Sequence, residues 1–154
     1  MANLPYNVGT PILLDLLRTA PAIGHFVVMV QREVADRLTA EPGHKTYGLP
    51  TVVVDLYARA RLAFSVPPQV FVPPPQVSSA VVEISRQDEV PEESALALEL
   101  AAGGFSQRRK MLRSSLKGVS EDPSRLCGDA GIDPTRRAES LTSSEWLALA
   151  RAAR

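Results

Sequence analysis

Two short segments of this 154-residue chain combine residue types that could act on a nucleobase. The first is Asn3-Leu4-Pro5-Tyr6. The exocyclic amine of adenine is a poor nucleophile because its lone pair is delocalised into the ring. A side-chain amide oxygen and a backbone carbonyl can accept its two N–H bonds and draw the nitrogen toward tetrahedral geometry. Asn3 offers the first acceptor, and the carbonyl of Leu4 or Pro5 offers the second, held outward by a rigid proline turn. Tyr6 can stack on a base taken out of its helix. The same four residues also read as a polar turn after a strand. The second segment, Phe71-Val72-Pro73-Pro74-Pro75, mounts an aromatic ring on a stiff loop. Phe71 could close the other face of the same adenine, or it could plug a core beneath an edge loop.

A third feature is basic. Arg108, Arg109, Lys110, Arg113 and Lys117 place five cations within ten residues. Helical spacing is expected over Gln107–Leu116, and at roughly 100° per residue Arg109, Arg113 and Lys117 would share a face. Such a face suits phosphates, giving affinity rather than sequence choice. It also suits plain solvation, with Met111 and Leu112 turned inward. Arg136-Arg137 could extend the patch or cap a helical bundle. The total charge is zero, yet residues 1–100 hold 7 Lys/Arg against 11 Asp/Glu, while residues 101–154 hold 10 against 6. The last third is therefore the part to suspect of touching a polyanion.

Other chemistry finds little support. His25 opens an apolar strand and His44 sits in a Pro-Gly turn, and with one cysteine they form no metal-ligand cluster. Cys127 cannot make an internal disulfide and reads as a small buried residue. Trp146 belongs to the core of an amphipathic terminal helix. No run of about 18 apolar residues predicts a membrane span, and the start predicts no secretory signal. A cytoplasmic protein is expected.

The elements that must position these groups follow from periodicity and punctuation. Asn3 to Thr10 reads as a loop, with Thr10 as the N-cap of a helix through Leu17 and Pro11 in its first turn. Gly24–Gln31 is a nearly continuous apolar run, the mark of a strand buried on both faces. A helix is expected over Glu33–Leu38, ending before Pro42-Gly43, and another over Tyr47–Tyr57. Strands follow at Ala58–Val66 and Ser78–Ile84, separated by prolines that neither a central strand nor a helix interior accepts. An acidic linker over Asp88–Glu93 leads to helices at Ser94–Gly103, Gln107–Leu116, Ser124–Ala130 and Ser143–Ala153. The order is that of an α/β sheet followed by a small helical bundle.

Taken in order, these segments resemble one family, the small-subunit ribosomal RNA adenine dimethyltransferases. The resemblance rests on Asn3-Leu4-Pro5-Tyr6 with Asn7 and Thr10–Leu13, on Gln31–Leu38, Pro42-Gly43 and Tyr47-Gly48, and on the phenylalanine–proline loop. Phe105–Leu116 resembles the family's Phe-x-x-Arg-Arg-Lys segment, and Arg137–Thr142 through Trp146-Leu147 its closing Arg-x-Glu-x-Leu segment. It implies the C-terminal part of a Rossmann-like class I methyltransferase sheet in residues 1–87. A small all-α RNA-binding domain is implied in 88–154. It further implies transfer of methyl groups from S-adenosylmethionine to N6 of two adjacent adenines near the 3′ end of small-subunit ribosomal RNA. Asn3, Leu4, Pro5, Tyr6 and Phe71 would be the catalytic and base-stacking residues, with Asn3 also beside the donor. Arg108, Arg109, Lys110, Arg113 and Lys117 would contact RNA, and no metal is implied.

The chain also departs from that family. The glycine-rich donor loop and the acidic residues that hold the donor are expected ahead of Asn-Leu-Pro-Tyr, and nothing in these 154 residues replaces them. The chain is therefore expected to bind the donor weakly alone and to be inactive by itself. Its incomplete sheet should favour self-association through an exposed apolar face. Three other readings stay open. They are a large-subunit ribosomal RNA adenine methyltransferase, a non-catalytic RNA-binding or ribosome-assembly module, and a mitochondrial transcription factor derived from this fold. Thr10–Leu13 and Gln31–Leu38 favour the small-subunit branch.

Overall fold

The computed structural model describes residues 1–3 and 8–154. It divides into two compact units, residues 1–40 with 53–89 and residues 41–52 with 90–154.

The first unit is built on a sheet. Its elements are β1 (Ala2–Asn3), α1 (Gly9–Thr19), β2 (His25–Gln31), α2 (Arg32–Leu38), the latter part of α3 (Leu49–Tyr57), β3 (Ala58–Val66) and β4 (Ser79–Arg86). The strands lie in the order β1-β2-β4-β3. β1 runs parallel to β2, whereas β4 is antiparallel to both β2 and β3. Leu13 and Leu17 of α1, four apart, face the same way and are fully buried. They meet Phe26, Val28 and Val30 of β2, which alternate onto one face, and Ala80, Val82 and Ile84 of β4. Leu38 and Ala35 of α2 complete that layer.

Two expectations change here. The strand over 24–31 is not buried on both faces. Phe26, Val28 and Val30 are buried, but Val27 and Met29 are only half-buried. The reason is coverage, since the helices of this unit pack against one face and no described element of it covers the other. Thr10 is not the helix cap either. Ile12 N–H already donates to the Val8 carbonyl at 3.2 Å, so α1 begins two residues earlier, with Val8 as the cap and Thr10 and Pro11 inside the first turn. Asn3, expected in a loop, ends β1.

The far end of α1 is closed by one residue. Arg86 sends its guanidinium to the carbonyls of Leu17 (2.6 Å), Ala20 (2.9 Å), Leu16 (3.1 Å) and Ile23 (3.1 Å). Those carbonyls include helix-terminal acceptors without intrahelical partners, and a cation is favoured at that end. The contact fixes α1 to the last residue of β4.

The second unit is helical. It holds α4 (Ser94–Ser106), α5 (Leu112–Ser115), a 3₁₀ turn at Leu116–Gly118, α6 (Pro123–Asp129), a 3₁₀ turn at Ala138–Ser140 and α7 (Ser143–Ala152). Trp146 of α7 lies at its centre, fully buried, with the Phe105 ring 6.2 Å away. Gly104 makes this fit possible, because a methyl group there would come within 2.8 Å of Trp146 Cη2. Phe105 also approaches Tyr47 at 6.0 Å, and the buried Tyr47 hydroxyl donates to the Leu141 carbonyl at 2.7 Å. Segment 41–52 is thereby part of this core. α7 starts with a reciprocal cap: the Thr142 hydroxyl accepts from Glu145 N–H, and the Glu145 carboxylate accepts from Thr142 N–H. α6 is capped by Asp122, which accepts from Arg125 N–H at 3.0 Å. Cys127 is buried, as expected.

The helix expected over Gln107–Leu116 is not continuous. Residues 107–110 form turns and a bend, Met111 makes an isolated bridge to Arg137, and only Leu112–Ser115 is α-helical. Gln107-Arg108-Arg109-Lys110 offers no apolar side chain for a helix to bury, so packing does not hold it helical. Tertiary partners win instead. Arg108 Nε pairs with Glu139 at 2.8 Å and its terminal nitrogen donates to the Lys45 carbonyl at 2.8 Å. Leu112 N–H donates to the Arg136 carbonyl. Arg109, Arg113 and Lys117 therefore do not lie on one helix face.

Candidate functional site

The first candidate site is set by strand direction. Asn3 ends β1 opposite Met29, and Gln31 ends β2. Gln31 in turn pairs with Ser79, the first residue of β4, and Ser79 pairs with Val66, the last residue of β3. The connection 67–78, which carries Phe71, thus emerges from the same end of the sheet as Asn3. In open α/β sheets this carboxyl end is where ligands bind. Phe71 is half-buried and closes a 3₁₀ turn, Pro68–Val70, through its N–H to the Pro68 carbonyl at 3.1 Å. The Val72–Pro73 peptide is cis. Leu4, Pro5 and Tyr6 lie outside the described residues, so the aromatic pair of Tyr6 with Phe71 does too.

By strand alternation Asn3 shares the face of its partner Met29, the uncovered face of the sheet. There it lines a hollow of about 350 Å³ with Val27, Met29, Phe64, Val81 and Glu83. Phe64 is 59% exposed, an unusual state for a phenylalanine. Sequence reading missed it because β3 carries a register shift between Leu62 and Phe64. The bulge turns Phe64 to the open face beside Val81, and Ser65 to the helical face. Arg32 Nη1 reaches Ser65 Oγ there at 2.9 Å, while its Nε pairs with Asp36 at 2.7 Å. On the open face Arg61 pairs with Glu83.

The second candidate site is the basic segment. Arg109, Lys110, Arg113 and Lys117 are exposed. Arg108 is committed to Glu139 and Lys45 as described. The two neighbouring arginines separate. Arg136 is half-buried and holds Glu145, Ser140 Oγ and the Ser140 carbonyl, whereas Arg137 is exposed and bridged to Met111, within the basic stretch. The hydrogen bond from Arg136 is the main cause that lowers the Glu145 pKa. The spacing Thr142-Ser143-Ser144-Glu145 signals the cap between Thr142 and Glu145, but nothing local to it signals that Glu145 also holds Arg136.

Elsewhere, burial raises the Asp55 carboxyl to a pKa of about 6. Among the described residues no group of three His, Cys, Asp or Glu is placed to hold a metal. None of the described helices is long and apolar enough to cross a membrane.

A four-stranded mixed sheet with Asn3 at its carboxyl end, followed by a helical unit, defines a Rossmann-like methyltransferase fold. The fold is similar to that of a crystal structure of a dimethyladenosine transferase from Plasmodium falciparum (TM-score 0.76, 24% identity, 96% of this chain and 63% of that one). It is also similar to the crystal structure of the 23S rRNA methyltransferase ErmE (TM-score 0.71, 20% identity, 97% and 62%). In sequence, residues 1–154 match the ribosomal RNA adenine dimethylase family, and the chain belongs to that family. The relative called ribosomal RNA small subunit methyltransferase A in Rhodospirillum rubrum is 47% identical over 154 residues, 99% of this chain and 53% of the relative. The protein of the same name in Bifidobacterium longum NCC 2705 is 46% identical over 166 residues, covering 99% and 53%. The chain spans about half the length of these curated relatives.

Proposed function

We propose that these residues are the acceptor and RNA side of an enzyme that dimethylates N6 of adjacent adenines near the 3′ end of small-subunit ribosomal RNA. The observation that carries this reading is the family match along the whole chain. The shared sheet end of Asn3 and the Phe71 loop supports it. In this reading the Asn3 amide oxygen and the carbonyl of Leu4 or Pro5 accept the two hydrogens of the target amine. Tyr6 and Phe71 hold the base between their rings. S-adenosylmethionine supplies the methyl group as a sulfonium, a leaving group good enough that no strong general base is required.

The residues present fit the adenine side of that chemistry and not the bulk of the donor. The adjacent pair Gly103-Gly104 is packed inside α4 against Val119 and Trp146, so it cannot serve as a donor loop. Groups beyond these 154 residues are therefore assigned to the donor, and the apolar open face of the sheet is the surface on which they would rest. Left uncovered, the same face favours self-association of the isolated chain. On the RNA side, Arg109, Lys110, Arg113 and Lys117, joined by Arg137, would meet phosphates, while Arg108 would hold the turn that presents them. A cytoplasmic location goes with that substrate.

The test uses the chain alone and then complemented. Calorimetry of residues 1–154 with S-adenosylmethionine should show no stoichiometric heat. Co-expression with the remaining half of the Rhodospirillum rubrum relative should restore methylation of undermethylated small subunits, and Asn3→Ala should abolish it. Tight donor binding by the chain alone would overturn the division. Transfer to large subunits in place of small ones would overturn the substrate.

A further inference from the structure

The helical unit carries a second surface whose chemistry is opposite to that of the basic segment. A groove of about 400 Å³ runs between α4, the 119–122 connection and α6. Its floor is aliphatic. Leu96 and Leu100, four apart on α4, meet Leu126 of α6 and Val119. Leu100 and Leu126 are buried, while Val119 is 36% exposed, so the groove opens to solvent without being a core void.

Its rim is acidic. Glu121, Asp122 and Asp129 line it with one cation, Arg125. Arg125 is already paired along its own helix with Asp129, at 3.6 Å. Asp122 spends one oxygen on the cap of α6, and a backbone N–H does not cancel its charge. Neither Glu121 nor Asp122 makes an ion pair among the described residues. The rim is thus left two charges negative, on a segment, 101–154, whose cations outnumber its carboxylates by four. A phosphate backbone would be repelled here. An aliphatic floor under an uncompensated acidic rim is complementary to a cationic segment that carries an apolar anchor.

We infer that this groove docks a basic, extended peptide segment of a protein partner, with an aliphatic side chain seated against Leu96 and Val119, above the buried Leu100 and Leu126, and lysines or arginines facing Glu121 and Asp122. The inference rests on the RNA reading in one respect. Proteins that share a ribosomal RNA surface must neutralise the same phosphates, so their free segments are rich in lysine and arginine.

A short synthetic peptide alternating lysine with leucine is the probe, and amide chemical shifts of the 1–154 chain are the readout. The expected result is saturable binding at low salt, with shifts centred on residues 96–100 and 119–129. Affinity should drop about tenfold in the double variant Glu121→Gln, Asp122→Asn, which keeps an α6 cap. A companion peptide with glutamate in place of lysine should leave the spectrum unchanged, as should one with serine in place of leucine. Equal binding of the glutamate peptide, or no loss in the double variant at unchanged thermal midpoint, overturns the inference. So does an RNA oligonucleotide that shifts the groove instead. The variant Arg109→Gln, Arg113→Gln keeps the two readings apart: it should weaken RNA binding and leave peptide binding intact. Failure of that RNA effect alone would count against the basic segment and not against the groove.

Discussion

The two units solve the burial problem differently. The helical unit has a fully buried centre. Trp146, Leu149, Leu112 and Leu116 are fully buried, and charged pairs such as Arg136 with Glu145 close the chain turns around them. The sheet unit buries one face under α1 and α2, and no described element of this unit covers the other, where Phe64 is exposed and Val27, Met29 and Val81 are half-buried. Among the described residues, one edge of β1 also has no strand partner. Exposed apolar sheet of this kind is rare in a free-standing domain. One unit can be stable on its own terms, while the other has a surface made to be covered. Asn3, to which the proposed function gives the acceptor amide, lies on that second surface. If the proposed function holds, the chemistry belongs to the unit with the bare face and the exposed cations of the basic segment to the other.

The contrast can be broken most strongly at Trp146. Trp146→Ala should cost about 3–5 kcal/mol, because no neighbour can refill the space left among Gly104, Ala138 and Phe105. Trp146→Phe should cost much less, since the buried indole N–H has no acceptor to lose. Urea unfolding followed by hydrogen exchange checks this, with protection lost across α4 and α7. Equal losses for both variants would mean that the ring's volume is not what holds the unit.

A smaller effect is expected on the sheet side. Arg86→Met keeps most of the aliphatic stem and removes the donors to four carbonyls at the end of α1. The expected cost is about 2 kcal/mol, with faster exchange in α1 and no change in α7. Uniform loss over both units would show that their stabilities are not separable.

The smallest effect is pH-dependent. The folded pKa of Asp55, about 6, lies above the ordinary carboxylate value. The folded chain therefore holds this proton more tightly than the unfolded chain, and stability falls as pH rises from about 4 through 6. Asp55→Asn should remove that slope and add about 1 kcal/mol at pH 8, once solvent screening is allowed for. Below pH 4 the gain should vanish. A gain at pH 8 that persists at pH 4 would assign the effect to packing rather than charge.

Much of this architecture was legible in the residues. Leu13 and Leu17, the apolar run that makes a strand of His25–Gln31, and the prolines at 67–75 each dictate a local structure, although burial of that strand on one face only was not legible in its continuous run. The family was legible too, in the order of its short segments, and the structure brings Asn3 and the 67–78 connection to one end of the sheet. What escaped reading depends on partners distant in sequence. A two-residue β1 has no periodicity to detect and exists through pairing with β2. The break at residues 107–110 depends on Glu139 and the Lys45 carbonyl, neither of which is local. Likewise, which of Arg136 and Arg137 stays free is decided by Glu145 and by the bridge to Met111.

The bulge in β3 carries one more consequence, for how this strand can change in length. Leu62 pairs with Val82 and Phe64 with Val81, so Ala63 is a supernumerary residue that the ladder steps around. Losing it would leave Leu62 and Phe64 on successive partners with their orientations preserved. Losing a residue elsewhere in the strand would either invert the side chains beyond it or draw the bulge out and turn over the residues in between. Codon deletions within this strand should accordingly be tolerated best at this position, where β3 can shorten without disturbing either of its surfaces.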